Sequence, residues 1–398
     1  MDKELAMQIA KKSCDEPVYV FDKLKFITNF IKLRETFRRY YPNFNIGYSY
    51  KTNYTNDICN TVNMLGGYAE VVSPFEVIHA LKCNSERIIY NGVCKDTISS
   101  KAVLAKNGKY NCDSMRDVLM AEKYAIIKGK CQIGLRVNFD IGNGKISRFG
   151  FDVEGKEFKE AVEYIKKSDY LELKGLHCHF SKGRDLECWK NIVEGMIKLA
   201  KELGDIEYID LGSNLYSEME PSLAKQYGDD IPTFEDYAKV VGTAMIEAFP
   251  DAGPELIIEA GTPIVANVFD VLATVVDIKT VRDKQFVVMN CSKYNLGCIC
   301  DVKNIPIEVF HMGENRGSFE GSSTLVGYTC VEDDVLNVYD GEIGVGDLVL
   351  FKNVGAYSLN FSPTFINPRL GIIQIDGYGL TEIKERDTYE QAFVSFHK

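Results

Sequence analysis

The sequence predicts an α/β fold in two parts: a (β/α)8 TIM-like barrel and a C-terminal, mostly antiparallel β-domain. Eight short apolar runs between about residues 45 and 262 alternate with stretches of helical period, the pattern of a closed parallel barrel. After Pro263 the texture turns β-rich, with Gly and Asp turns between the runs, as an antiparallel sheet requires. A chain of 398 residues exceeds one ordinary domain and fills a large core beside a smaller one. The expected boundaries are 23–264 for the barrel and 1–22 with 265–398 for the β-domain.

In chain order, PVYVFD (17–22) reads as a strand that precedes the first helix and is available to the second sheet. The barrel strands are FNIGYSYK (44–51), YAEVVS (68–73), RIIYNG (87–92), YNCDS (110–114), CQIGLRVN (131–138), LELKGLHCHF (171–180), IEYIDLG (206–212) and ELIIEAG (255–261). Between them, TNDICNTVNML, PFEVIHALKC, SMRDVLMAEKYAIIKG and ECWKNIVEGMIKLAKEL carry apolar residues three and four apart, which is the helical period. The β-domain is expected from IVANVFDVLATVVDIKTV, KQFVVMNC, DVLNVYDG, VGDLVLFKNVGAY and LGIIQIDG. Internal repeats and low-complexity segments are absent from the sequence.

Composition excludes several partners. With 57 acidic against 46 basic residues the net charge is −11, and without a local basic run such a surface repels nucleic acid and anionic membrane. The N-terminal stretch has no apolar core followed by a cleavage site, and no run approaches the roughly 18 apolar residues of a membrane span. Twelve cysteines are scattered singly, so they read as reduced thiols of a cytoplasmic protein. Cys298 and Cys300 in GCIC would point the same way on a strand, but no further ligand accompanies them and no metal is expected.

In a barrel of this kind reactive groups gather at the C-terminal ends of the strands. That rule collects Lys51 from strand one, Glu70 and Ser73 from strand two, Arg136 and Asn138 from strand five, His177 and His179 from strand six, Gly212, Ser213 and Asn214 from strand seven, and Glu259, Gly261 and Thr262 from strand eight. A partly desolvated lysine amine has a lowered pKa and condenses with an aldehyde. An acid such as Glu259 can keep a pyridine nitrogen protonated, a ring such as His179 can stack on the same pyridine, and glycine-bearing loops offer N–H groups to a phosphate. Together they describe a site for pyridoxal 5'-phosphate. Singly they have plainer readings: a solvated lysine, a satisfied core histidine at 177 or 179, and an Arg136 paired with a rim carboxylate.

The order of YSYKTN, AEVVSPFE, GLRVN with SRFGF, GLHCHF, IDLG, EAGT, GYTCVEDD and VGAYS resembles the ornithine/diaminopimelate decarboxylase family of fold-type III pyridoxal-phosphate enzymes, whose barrel is alanine-racemase-like. The resemblance spans nearly the whole chain. It makes Lys51 the lysine that condenses with the cofactor, His179 the stacked ring and Glu259 the partner of the pyridine nitrogen. Glu70 stands where many relatives have aspartate, and Arg136 matches an arginine that supports the site by hydrogen bonding. Cys330 matches the acid that returns a proton to Cα, Asp334 a nearby substrate-side aspartate, and Tyr357 a tyrosine that reaches the phosphate. Cys330 and Asp334 come from the partner subunit in such enzymes, so a homodimer with shared sites is implied.

The departures are as informative. The family's E-P-G-R is here Glu259-Ala260-Gly261-Thr262, which removes the phosphate arginine. Its glycine triplet is Gly212-Ser213-Asn214, a less permissive backbone, and the serine three residues after the stacked histidine is Lys182. One reading makes Lys182 the replacement cation for the phosphate; the other leaves it facing solvent in SKGRD. Relatives acting on diamino acids carry an acid directly after the cysteine, whereas Val331 stands here. Valine cannot neutralise a buried ammonium, so unless Glu332 or Asp333 substitutes, the substrate is expected to have a modified or larger distal end, as in siderophore or antibiotic synthesis.

The resemblance implies a small amino-acid substrate, free or carrier-linked, that loses its α-carboxylate as CO2, with Cys330 supplying the proton and Lys51 releasing the amine. An amino-acid racemase on the same fold and a non-catalytic homologue acting by partner binding are the alternatives. CO2 release separates the first, and the visible band of lysine-bound cofactor the second.

Overall fold

The computed structural model describes residues 1–313 and 318–394. The chain divides into two compact units: residues 29–216 with 230–263, and residues 1–28 with 217–229 and 264–398. The stretch 23–264 is therefore not one uninterrupted run. Residues 217–229 belong to the β-rich unit because Asn267 Nδ2 donates to the Glu218 carbonyl at 3.2 Å, Lys352 Nζ lies 3.2 Å from Glu220 Oε1, and Gln226 Nε2 donates to the Asn304 carbonyl at 2.7 Å.

In the first unit eight parallel strands close a barrel: Phe44–Ser49, Tyr68–Val71, Ile88–Tyr90, Lys109–Cys112, Cys131–Asn138, Leu171–His177, Tyr208–Asp210 and Glu255–Ile258. Each pairs with its chain neighbour, strand four meets strand five, and strand eight returns to strand one, Leu256 opposite Phe44. All eight coincide with the apolar runs. The reason is burial on both faces: every residue of Phe44–Ser49 is buried, which selects continuous apolar sequence over alternation. A two-residue strand, Phe151–Asp152, adds to strand five and had no apolar run to announce it.

Helices Asn56–Met64, Pro74–Lys82, Met115–Lys128 and Leu186–Leu203 occupy the expected segments. Ser73, collected as a site residue from the sequence, caps one of them, accepting from Glu76 N at 3.2 Å, which satisfies an end donor. Inside the barrel Tyr208 is buried against Gly134 and Gly175, where a Cβ at either position would collide with its ring or hydroxyl.

The second unit is a nine-stranded sheet. Val18–Asp22 lies between Phe269–Val281, antiparallel, and Gly371–Asp376, parallel, so the early strand does join this sheet. Six of its eight pairings are antiparallel. IVANV, expected as strand, is instead helical at Thr262–Val265 and Ala266–Val268. Cys298 and Cys300 lie in a 3-10 turn, Cys298–Asp301, rather than on a strand; the Cys300 thiol donates to the Gly297 carbonyl at 2.8 Å. Among the described residues no helix is long and apolar enough to cross a membrane.

Candidate active site

Lys51 lies in the turn Tyr50–Thr52 that directly follows the first barrel strand. Its Nζ is 2.6 Å from Glu70 Oε2 at the end of strand two; the lysine side chain is 33% exposed and the glutamate 0%. The ammonium thus sits at the mouth while its counter-charge is inside. Glu70 Oε1 accepts from Asn91 Nδ2 at 3.2 Å, and the same amide nitrogen donates to Glu259 Oε1 at the end of strand eight. Asn91 in turn accepts from Asn111 Nδ2 at 2.7 Å, and Asn111 from the Tyr208 hydroxyl at 2.7 Å. A buried acid is tolerable when paired and hydrogen-bonded. This amide relay supplies those bonds.

Three ionisable groups converge on the far side of the relay. One ligand-capable atom each from His177, Asp210 and Glu259 lie within 4.8 Å of one another. His177 Nε2 is 3.2 Å from Glu259 Oε1, yet neither ring nitrogen makes a hydrogen bond. Burial, reinforced by the Arg136 charge, holds the His177 pKa far below its usual value and keeps the ring neutral. Burial, then the neighbouring Glu259 carboxylate, pushes Asp210 well above the carboxylate range, so Asp210 carries the proton of this acid pair. Its Oδ1 accepts from Gly212 N at 3.0 Å, tying the acid to the loop after strand seven.

In that loop Ser213 N donates to His179 Nδ1 at 3.2 Å. The strand stops at His177, so His179 stands beyond the pleat instead of alternating with it. Burial lowers its pKa to about 4, and a neutral ring results. Gly212 has φ +64°, and a Cβ there would strike the His179 ring and the Cys178 carbonyl, so only glycine lets histidine and loop approach this closely. Gly261 is required in the same way against Thr52, while Thr262 opens the turn that follows.

Arg136 Nη1 lies 3.4 Å from Asp113 Oδ1 and 3.4 Å from the Asn91 carbonyl, and its guanidinium stacks 4.5 Å from the Phe149 ring. Arg136 thus pairs with an acid at the barrel rim and hydrogen-bonds the backbone of the relay's Asn91. Asn138 Nδ2 donates to the Ser147 carbonyl at 2.7 Å and so fastens the loop after strand five. Lys182 is exposed. Two residues on, Arg184 Nε donates to Asn214 Oδ1 at 2.7 Å.

The remaining candidates lie in the β-rich unit. Cys330 is exposed. Glu332 and Asp333 are exposed and Val331 is half-buried. Asp334, expected on the substrate side, is buried, and its oxygens accept from Ser292 Oγ at 3.1 Å, Lys293 N at 2.8 Å, Thr329 N at 3.1 Å and Thr329 Oγ1 at 2.6 Å. With four donors already on the carboxylate, Asp334 shapes the 329–334 loop and has no capacity left for a substrate ammonium. Tyr357 has φ +57° and stacks on Phe361 at 5.9 Å; such a backbone state in a bulky residue is strained.

Asn91, Asn111, Asp113, Asp210 and Arg184 were not singled out from the sequence. Asparagine and aspartate at the end of an apolar run read as turn residues, so RIIYNG, YNCDS and IEYIDLG carried Asn91, Asn111, Asp113 and Asp210 only as parts of strands. Cys59, His79 and Cys83, which the sequence separates, also meet between two helices; a hydrogen bond with Cys59 lowers the Cys83 thiol to about 7.

Burial raises the Glu76 carboxyl, which accepts from Val72 N at 2.7 Å, to about 7. The folded chain therefore holds a proton that the unfolded chain releases near pH 4.5. Stability falls as pH rises from about 4.5 to 7, by roughly 3 kcal/mol for this group, and the loss is complete above 7. Glu76→Gln removes the titration, so the variant gains on the parent over that interval. Urea unfolding of both proteins at pH 5 and 8 reads the difference, and a gap that is the same at both values contradicts it.

A family model described as "Pyridoxal-dependent decarboxylase, pyridoxal binding domain" matches residues 27–266. The chain belongs to the pyridoxal-dependent decarboxylases. It is 26% identical to the diaminopimelate decarboxylase of Aquifex aeolicus over 94% of this chain and 90% of that protein. It is 26% identical to that of Methanocaldococcus jannaschii over 96% and 91%. Of the solved structures, diaminopimelate decarboxylase from M. jannaschii superposes with a TM-score of 0.85 at 24% identity, covering 98% of this chain and 94% of that one. The arginine decarboxylase of Paramecium bursaria Chlorella virus does so at 0.76 and 18% identity, covering 94% and 100%. These superpositions establish the shared fold. The family establishes an amino-acid carboxy-lyase that depends on pyridoxal phosphate.

Proposed function

We propose that this decarboxylase holds pyridoxal phosphate on Lys51 and removes the α-carboxylate of an amino acid of the diaminopimelate/ornithine type, or of a derivative with a modified distal end. The observation that carries the reading is the relay Lys51–Glu70–Asn91–Glu259: an amine at the mouth joined through one amide to a buried acid across the barrel. The residues fit the group. Ser213 Oγ and Asn214 Nδ2 are buried without a hydrogen-bond partner in the loop assigned to the phosphate, and orphaned buried donors are costly unless a ligand meets them.

When bound, the cofactor supplies the electron sink that makes loss of CO2 from Cα possible. Lys51 anchors it and Glu70 holds the lysine. Glu259, the buried acid at the end of strand eight, would accept from the pyridine N–H. His179, its pKa lowered by burial, would offer a neutral ring to stack on the cofactor. Arg136 braces Asn91. Cys330, exposed on its loop, donates the proton that Cα takes up. Val331 after the cysteine and Asp334 with its oxygens filled by local donors give a distal ammonium no buried acid on this loop, which favours a distal end of reduced positive charge; Glu332 and Asp333, both exposed, are the acids that would have to substitute. The named relatives act on diaminopimelate in most cases and on arginine in one.

Two copies form a homodimer in which Cys330 of one protomer serves the Lys51 site of the other. Mixing inactive Lys51→Ala with inactive Cys330→Ala should restore up to about a quarter of parental activity, because random pairing makes half the dimers mixed and each mixed dimer keeps one intact site. No recovery removes the shared site. Substrate is tested by CO2 release from diaminopimelate, ornithine, lysine, arginine and their distally acylated derivatives. Release from none of them rejects the substrate class.

A further inference from the structure

Two departures from the family pattern follow neighbouring strands, seven and eight. Thr262 stands after strand eight where an arginine was expected, and Asn214 stands after strand seven where a glycine was expected. Asn214 nevertheless holds φ +149°, a state in which side-chain-bearing residues are strained. It is kept there by Arg184, whose Nε donates to Asn214 Oδ1 at 2.7 Å. That bond fixes the amide orientation and leaves Asn214 Nδ2, buried, without a partner beside the equally unpartnered Ser213 Oγ.

Arg184 is itself held at two points. The buried Tyr237 hydroxyl donates to its carbonyl at 2.5 Å, and its guanidinium lies 4.9 Å from the Tyr216 ring. Among the described residues no carboxylate forms an ion pair with it. A fork that spends one N–H on the loop retains further N–H groups for an anion, and arginine suits a phosphate better than a flexible lysine does. Lys182, exposed, has none of these restraints.

We propose that Arg184 replaces the missing arginine: it binds the cofactor's phosphate and, through Asn214, holds the loop that supplies the neutral donors. The proposal rests on the reading that Lys51 carries pyridoxal phosphate. Its test compares pyridoxal phosphate with pyridoxal, which lacks the phosphate, binding being read from the visible absorption of the lysine-bound aldehyde. Arg184→Ala and Arg184→Gln should weaken pyridoxal phosphate at least about tenfold and leave pyridoxal within about threefold of the parent, which also shows that the barrel has folded. If either folded variant keeps the parent's preference for the phosphorylated aldehyde, or if Lys182→Ala loses it instead, Arg184 is not the phosphate's cation. A parent that binds neither aldehyde removes the functional reading together with this proposal, a result distinct from the first.

Discussion

Lys51→Ala lowers CO2 release by at least about a thousandfold and abolishes borohydride-fixed labelling of the peptide around residue 51. The size follows from the chemistry: covalent anchoring is lost altogether, and losing the central nucleophile costs several orders of magnitude where residues act as a unit. The substitution also strands Glu70, fully buried and then bonded only to Asn91. The fold is expected to survive, since Lys51 lies in a turn beyond the strand's end and outside the barrel strand itself. Mass mapping after borohydride reduction decides the matter. A label on another lysine, or activity within tenfold of the parent, would end the account of the site.

Glu259→Gln is expected to lower kcat by about a hundredfold or more while KM and labelling at Lys51 stay close to parental. Preorganised charge aimed at where charge develops is worth roughly that much in buried sites. The side chain keeps its size, and Asn91 and His177 remain beside it. What goes is the negative charge that stabilises a protonated pyridine. Asp210 loses the upward push of the neighbouring carboxylate but keeps the larger one of burial. A variant with kcat within threefold of the parent would show that Glu259 serves packing alone.

Much of this was legible before any coordinates. The eight barrel strands coincide with eight apolar runs because burial on both faces leaves a strand no room for polar alternation. The placement of Lys51, Glu70, Glu259 and His179 at or just beyond strand ends was legible because a barrel delivers those ends to one mouth. The relay was not legible. Asn91 and Glu259 are 168 positions apart, and an asparagine after RIIY looks like any turn residue until strand closure puts it between two acids. Asp334 was misread for a related reason: an acid in a loop reads as available, and only its four local donors show that it is used up.

The sequence by itself determined the barrel, the β-rich second part and the position of Lys51 at a strand end, since hydrophobic period and strand-end position are local properties that any closed sheet must express. The tertiary structure decided which acids are buried together, which amide joins them, and that Arg184 rather than its neighbour Lys182 grips the loop after strand seven. Those outcomes depend on distance and desolvation, and neither is set until strand eight pairs with strand one and takes the interior out of water.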